Sequence, residues 1–313
     1  MTTSTNTDPG TVLITGPSGS LGAATTLAMA ARPTTTRPDV ILVGRPGESM
    51  SRVAAQARAG GATVRVIDTD LSRLADVRAA ADEAKRLVDE GTVRPLRAII
   101  ANAGKTAADT RAASADGYEL TFAVNHLAHA QLIGDLIGTM ATPGRIVLLG
   151  SNTYHQNLPR KLFGVPPAQW RDPIELATPA PADQKPSAQT SGVAYSTAKL
   201  AILYYAHELQ RRAPQGIGVV VYEPGFMPGT TLFREQPAAV QWIGRALSRV
   251  PGVSTATVSG PGLASLALDA RWAHLRDGAF VVKDQKREVE PFAVDRAREA
   301  RLWDATRELL ERA

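Results

Sequence analysis

The chain has no cysteine in its 313 residues, which excludes disulfides, thiolate metal ligands and cysteine nucleophiles. It also lacks any apolar run approaching the ~18–20 residues that a membrane-crossing helix needs. No sign of charge dominates: 35 Lys and Arg face 30 Asp and Glu, for a net +5. The basic residues are scattered rather than massed among aromatics, so no nucleic-acid partner is expected. Histidine is sparse, and His126, His129, His155, His207 and His274 do not form a metal set, so no metal is expected. His126 and His129 could share a helical face, but two such residues without a carboxylate are more often packing residues. Residues 1–10 are rich in Thr, Asp and Asn, with neither the charged start nor the apolar stretch of a signal, and read as a flexible terminus. A cytoplasmic location is the corresponding expectation.

What is present is a regular alternation. Thr11–Thr15, Val40–Val43, Thr63–Ile67, Arg97–Ala101, Arg145–Leu149, Gly218–Tyr222 and Ala279–Val282 read as strands, most of them nearly continuous in Val, Ile and Leu. Such runs belong to strands covered on both faces. Between them Ser20–Ala31, Ser51–Ala59, Arg73–Glu90, Gly117–Thr139 and Tyr195–Arg212 read as helices. The pattern predicts an α/β fold, a doubly wound parallel sheet of about seven strands, in a single domain spanning 11–313. Three stretches break the alternation. Residues 157–192 hold seven prolines, from Pro159 to Pro186, which rule out a long helix or central strand and suggest an insertion at the rim of the active site. Residues 226–258 carry a further helical pattern with Trp242, Ile243, Leu247 and Val250 on one side. Residues 293–312 read as a C-terminal helix that docks through Leu302, Trp303, Leu309 and Leu310.

Gly16-Pro-Ser18-Gly19-Ser20-Leu21-Gly22 follows the first strand and opens the first helix. Three glycines there let the backbone approach a pyrophosphate seated on the helix N-terminus. At the end of the second strand Gly44 is followed by Arg45, where an acidic residue would grip ribose hydroxyls. A guanidinium suits a 2′-phosphate, which favours NADP(H) as cofactor. Asp70, with Leu71, follows the third strand and could accept from an adenine amine or cap the next helix. Further on, Tyr195 and Lys199 stand four residues apart, one turn along a helical face. An ammonium in that place is expected to pull the phenol's pKa down toward the working range.

Together with Asn102-Ala103-Gly104 after the fourth strand, Asn125 in its Phe-Ala-Val-Asn-His-Leu-Ala-His setting and Ser151 after the fifth strand, these residues resemble the short-chain dehydrogenase/reductase family. The resemblance runs from about Thr11 to Phe233 and implies a Rossmann-type fold. Within the family, Ile146–Ser151, the insertion before Tyr195, Pro224–Phe233 and Arg301–Asp304 resemble the retinol dehydrogenase and protochlorophyllide reductase branch. By this resemblance Tyr195 exchanges a proton with the substrate oxygen. Lys199 tunes it and holds the nicotinamide ribose, and Ser151 stabilises the developing charge. Asn125 bends its helix around a water that serves Lys199. Asn102, Ala103, Gly104, Pro224, Gly225, Met227 and Thr230 border the cofactor. Taken singly, Ser151 could merely end a strand and Asn125 be an ordinary helix residue.

Three departures stand out. Gly19 and Ser20 look exchanged relative to the family's glycine loop, Ser151 and Tyr195 lie further apart than usual, and the cysteine associated with protochlorophyllide reductases is missing.

Leu162, Phe163, Trp170, Phe226, Met227, Leu232, Phe233 and Trp242 offer apolar walls for a lid over 226–258. The expected activity is an NADP-dependent hydride transfer between a ketone and a secondary alcohol on a lipophilic, ring-containing molecule such as an aromatic polyketide. A double-bond reductase of the protochlorophyllide type and a non-catalytic NADP sensor are the alternatives. A monomer or a homodimer through the helices of Asn125 and Tyr195 is expected, with Leu200, Leu203 and Tyr204 on that face or on the sheet.

Overall fold

The computed structural model describes residues 8–157, 160–161, 164–225, 227 and 254–313. Strands β1 (Thr11–Thr15), β2 (Asp39–Gly44), β3 (Val64–Asp68), β4 (Leu96–Ala101), β5 (Gly144–Leu149), β6 (Ile217–Glu223) and β7 (Ala279–Val282) form a parallel sheet in the order β3-β2-β1-β4-β5-β6-β7. An eighth strand, β8 (Gln285–Arg287), pairs antiparallel with β7 at the edge. All three residues of β8 are exposed and polar, so no apolar pattern announces it in the sequence.

The strands bury alternate residues on opposite faces, as their two-residue period requires. Leu13, Ile41 and Ile99 join the core under α3 (Leu74–Asp89), the composite helix α4 (120–136), α6 (Ala188–Arg212) and α8 (Arg296–Arg312). Val12, Leu42 and Ile100 join the opposite core, under α1 (Ser20–Ala30), α2 (Glu48–Ala59) and α7 (Ala256–Leu268). Helix α4 runs through a short α turn (Leu120–Phe122), a π turn (Ala123–Leu127) and an α segment (Ala128–Leu136). The short α5 (Pro173–Leu176) is capped by Asp172, whose carboxylate accepts from Ile174 N at 3.0 Å.

Two elements differ from the sequence expectation. Helix α6 starts at Ala188 rather than Tyr195, because Ser187, directly after Pro186, caps it by accepting from Thr190 N at 3.1 Å. Helix α7 was not anticipated, since Gly260-Pro261-Gly262 lies inside it. Gly260 is required by packing there: a Cβ on it would lie 2.6 Å from Ala24 Cβ and 2.8 Å from Thr25 N of α1. The helical pattern expected at 228–253, with Trp242, Ile243, Leu247 and Val250, lies outside the described residues. So do Thr230, Leu162, Phe163, Phe226, Leu232 and Phe233. Among the described residues no helix is long and apolar enough to cross a membrane.

Candidate active site

A cleft of about 330 Å³ opens at the C-terminal ends of the parallel strands, where such sheets place ligand sites. Its floor begins with the glycine loop. Gly16 has φ of +63°, and a Cβ there would lie 2.9 Å from Ala103 Cα. A Cβ on Gly22 would collide with the Gly16 carbonyl and lie 2.8 Å from Asn102 Nδ2. Asn102 ties the turn down, donating from Nδ2 to Thr15 O at 2.9 Å and Gly16 O at 3.1 Å. Gly19 is the N-cap of α1 and supplies no side-chain bond. The first amides of that helix are therefore open to a ligand. Ser18, Ser20, Leu21, Ala103 and Gly104 line the same cleft.

Arg45 stands exposed at the end of β2, and Asp70 and Leu71 follow the neighbouring β3 on the lining of the cleft. Burial acts to raise the Asp70 carboxyl, but bonds from Ser72 and the charges of Arg45 and Arg73 outweigh it and leave its pKa below the usual value. Asp70 bonds Ser72 N at 2.9 Å and Ser72 Oγ at 2.8 Å. It does not cap α3; Asp116 does, accepting from Leu74 N at 2.9 Å.

At the other end of the cleft lies the tyrosine. Tyr195 is half-buried on α6, one turn before Lys199, and the Ser151 hydroxyl acts on its phenol to lower the pKa. Lys199, one turn further, is 4% exposed; its Nζ donates to Leu149 O at 2.7 Å and lies 5.5 Å from the Tyr195 ring centroid. Burial pushes the Tyr195 phenol well above its ordinary pKa, Ser151 lowers it and Glu223 raises it further. Burial also drives the Lys199 ammonium down to about 7.

Asn125, 1% exposed, sits in the π turn of α4. Its Nδ2 donates to Thr121 O and to Lys105 O, both at 2.7 Å, and its Oδ1 accepts from Lys105 N at 3.3 Å. The helix is a π turn at this point, and the amide holds the strand-end loop at Lys105. His129 extends this brace. Its Nδ1 can only donate to the carbonyl of Asn125, at 3.2 Å, so Nε2 accepts from Thr15 Oγ1 at 2.9 Å. Thr15 Oγ1 in turn accepts from Ala103 N at 3.0 Å.

Pro224 and Met227 also line the cleft, whereas Asn125, Ser151 and Gly225 are not on its lining. Sequence reasoning missed Gly44, Thr69, Lys105, Thr106, Leu149 and Gly150 on the lining. Most of these lie at or just past the ends of the strands, a position that could have flagged them.

The family profile described as short chain dehydrogenase matches residues 10–162. The chain is 28% identical to protochlorophyllide reductase A of Oryza sativa subsp. japonica, across 96% of this chain and 80% of that one. This chain belongs to the short-chain dehydrogenase/reductase family of oxidoreductases. It stands near the protochlorophyllide-reductase-like branch. It is also 31% identical to a Streptomyces sp. (strain C5) protein assigned as a daunorubicin C-13 ketoreductase, over 69% of this chain and 65% of that one. A short chain dehydrogenase of Burkholderia cenocepacia J2315, crystallised with NADP, superposes with a TM-score of 0.63 at 20% identity, covering 89% of this chain and 97% of that one. At that identity the match establishes the fold.

Proposed function

We propose that this family member is an NADP(H)-dependent ketoreductase acting on a lipophilic, ring-containing carbonyl compound. The observation that carries the reading is Tyr195, with Lys199 one turn further on, at the far end of a cleft that begins at a glycine loop. The open amides of α1 and the glycines packed against Ala103 and Asn102 suit a pyrophosphate. Arg45 suits a 2′-phosphate. Tyr195, Lys199, Asn102, Ala103, Gly104, Pro224, Gly225, Met227 and Thr230 would hold the nicotinamide half.

When bound, the nicotinamide supplies or accepts the hydride. The protein's part is the proton and the charge. A phenol whose pKa is raised is fully protonated near neutrality, the form needed to donate to an incoming alkoxide. Ser151 places a second donor at the same oxygen, where negative charge develops. Lys199 commits one N–H to Leu149 O and has two left for ribose hydroxyls.

For the substrate, Leu120, Val124 and Met227 give the described walls an apolar character. Two relatives are named for fused-ring or macrocyclic substrates. Oxidation of NADPH should be followed in the dark against bulky aromatic and polycyclic ketones. Tyr195→Phe is expected to lower kcat by about 100-fold or more while NADPH affinity is retained; unchanged turnover would exclude the assignment. A second reading, reduction of a carbon–carbon double bond, draws on the rice relative's coverage of 96% of this chain. Product analysis separates the two, because only carbonyl reduction yields a new alcohol.

A further inference from the structure

His129 is 3% exposed, stands one turn beyond Asn125 on α4 and does not line the cleft. Nothing in the chemistry assigned to the cleft uses it. A neutral imidazole offers one donor and one acceptor. The carbonyl of Asn125 can only accept, which fixes the ring proton on Nδ1 at 3.2 Å, and Nε2 then accepts from the Thr15 hydroxyl at 2.9 Å. Burial pushes the ring's pKa down to about 4, so it is neutral near pH 7 and a single tautomer makes both bonds. Thr15 Oγ1 continues the chain, accepting from Ala103 N at 3.0 Å. The donors all point the same way, from the Asn-Ala-Gly loop through the last residue of β1 to the π turn. An apolar side chain of similar size would pack this space, so packing alone does not call for a ring matched at both nitrogens.

We propose that His129 is a positioning residue that holds the cofactor floor in register with the catalytic turn, one ring nitrogen serving each. The inference rests on the reading of the glycine loop as the NADP(H) site and of Tyr195 as the proton donor. On the Nε2 side, Thr15 leads directly into Gly16, and Asn102 Nδ2 grips the carbonyls of both. Gly16 and Ala103 are too close to admit even a Cβ between them, so a shift of Thr15 displaces the amides that open α1. On the Nδ1 side, the backbone of Asn125 belongs to the turn that packs against α6. His126 of that turn meets the Tyr205 ring of α6 edge-on, with centroids 5.2 Å apart. The Asn125 amide also fixes Lys105 on the cleft lining. Moving this turn therefore disturbs both the helix that carries Tyr195 and Lys199 and the lining at Lys105. A misplacement of about 1 Å between reacting groups can cost roughly 100-fold in rate, even where the dinucleotide is still held by the other arm.

The test separates the two arms. An asparagine amide reaches about as far as Nδ1 and a glutamine amide about as far as Nε2. His129→Asn therefore keeps a donor for Asn125 O, and His129→Gln keeps an acceptor for Thr15. NADPH affinity is read by fluorescence titration, and kcat from NADPH oxidation by a ketone substrate at saturating cofactor. His129→Asn is expected to weaken NADPH binding about five- to tenfold, the worth of one buried hydrogen bond, with kcat little changed. His129→Gln is expected to hold NADPH affinity and lower kcat by about tenfold or more. His129→Phe, which lacks both arms, should show both losses. Equal effects of the three variants on both constants, or no effect on either, would overturn the proposal and leave His129 as a packing residue. The NADPH titration needs no ketone, so a failed ketoreductase reading appears separately, as absent turnover in the wild type. The Asn125 arm is then read by hydrogen exchange of peptides covering 123–127, expected to quicken in His129→Gln and not in His129→Asn; the reverse order would sink it. If the variants do not fold, nitrogen NMR of the wild-type ring decides, because a proton on Nδ1 supports the wiring and a proton on Nε2 overturns it.

Discussion

A charged side chain at the bottom of a cleft is stable only to the extent that its partners replace water, and Lys199 has one, the carbonyl of Leu149. Its pKa of about 7 means that near neutrality it exchanges its proton readily. Hydroxyl groups brought against it would favour the ammonium, and that same ammonium is then available to lower Tyr195. Arg45 presents the opposite case, exposed and free to reorganise at the far end of the cleft. Its assigned role predicts that Arg45→Asp weakens NADPH binding by at least about tenfold through loss of one charge-assisted pair and introduction of a repulsion. NADH binding should hold or improve, as read by fluorescence titration of both dinucleotides. Equal losses for the two would remove the 2′-phosphate from the argument. The site's sequence signal was strong where chemistry demands one residue type, as at Gly16, Tyr195 and Lys199. It was absent for Lys105, which joins the lining only because the Asn125 amide holds its backbone there.

Helix α7 touches α1 where a side chain would not fit, and this close contact helps cover the sheet face carrying Val12, Leu42 and Ile100. Gly260→Val should force α1 and α7 apart and cost about 1–3 kcal/mol, measured as a lowered urea midpoint with the slope unchanged. An unaltered midpoint would mean that α1 gives way more easily than its packing suggests. The same contact explains why α7 escaped a reading from sequence. Gly260 and Pro261 suppress helical propensity, and the tertiary fit that overrides it involves residues more than two hundred positions away. The parallel strands were legible for the converse reason, since Val12–Ile14 or Val40–Val43 is buried on either face and needs no neighbour to specify it. Strand β8 is all polar and exposed, so only its pairing with β7 defines it. Helix α6 was legible along its catalytic turn, but its start depended on Ser187 as a cap rather than on apolar spacing. The bend at Asn125 becomes intelligible through the bonds of its amide to Lys105 O and Thr121 O.

At the scale of the molecule, α8 decides which surfaces remain for other chains. Leu302, Ala305 and Leu309 of this helix are fully or nearly fully buried. Thr306 Oγ1 bonds His126 Nε2 of α4 at 2.7 Å. Trp303 stacks on Tyr205 of α6 at 5.6 Å, with the Arg212 guanidinium 5.0 Å from its ring. Tyr118 OH donates to Leu309 O at 2.6 Å, and Arg301 grips Asp172 through two bonds of 2.7 and 2.9 Å. Leu200, Leu203 and Tyr204 are themselves buried in the core and leave no apolar stripe on α6 for a partner. The faces of α4 and α6 through which a homodimer was considered are therefore covered by the chain's own C-terminus. Pairing two copies there would require stripping α8 away and exposing its leucines together with His126, whose burial holds its pKa near 3. The full chain is accordingly expected to be a monomer by light scattering at micromolar concentration. A chain ending at Asp295 should lose stability and self-associate through the uncovered helices. A full-length dimer whose contacts map to α4 and α6 would show that α8 is displaced in solution, and would return those helices to service as an interface.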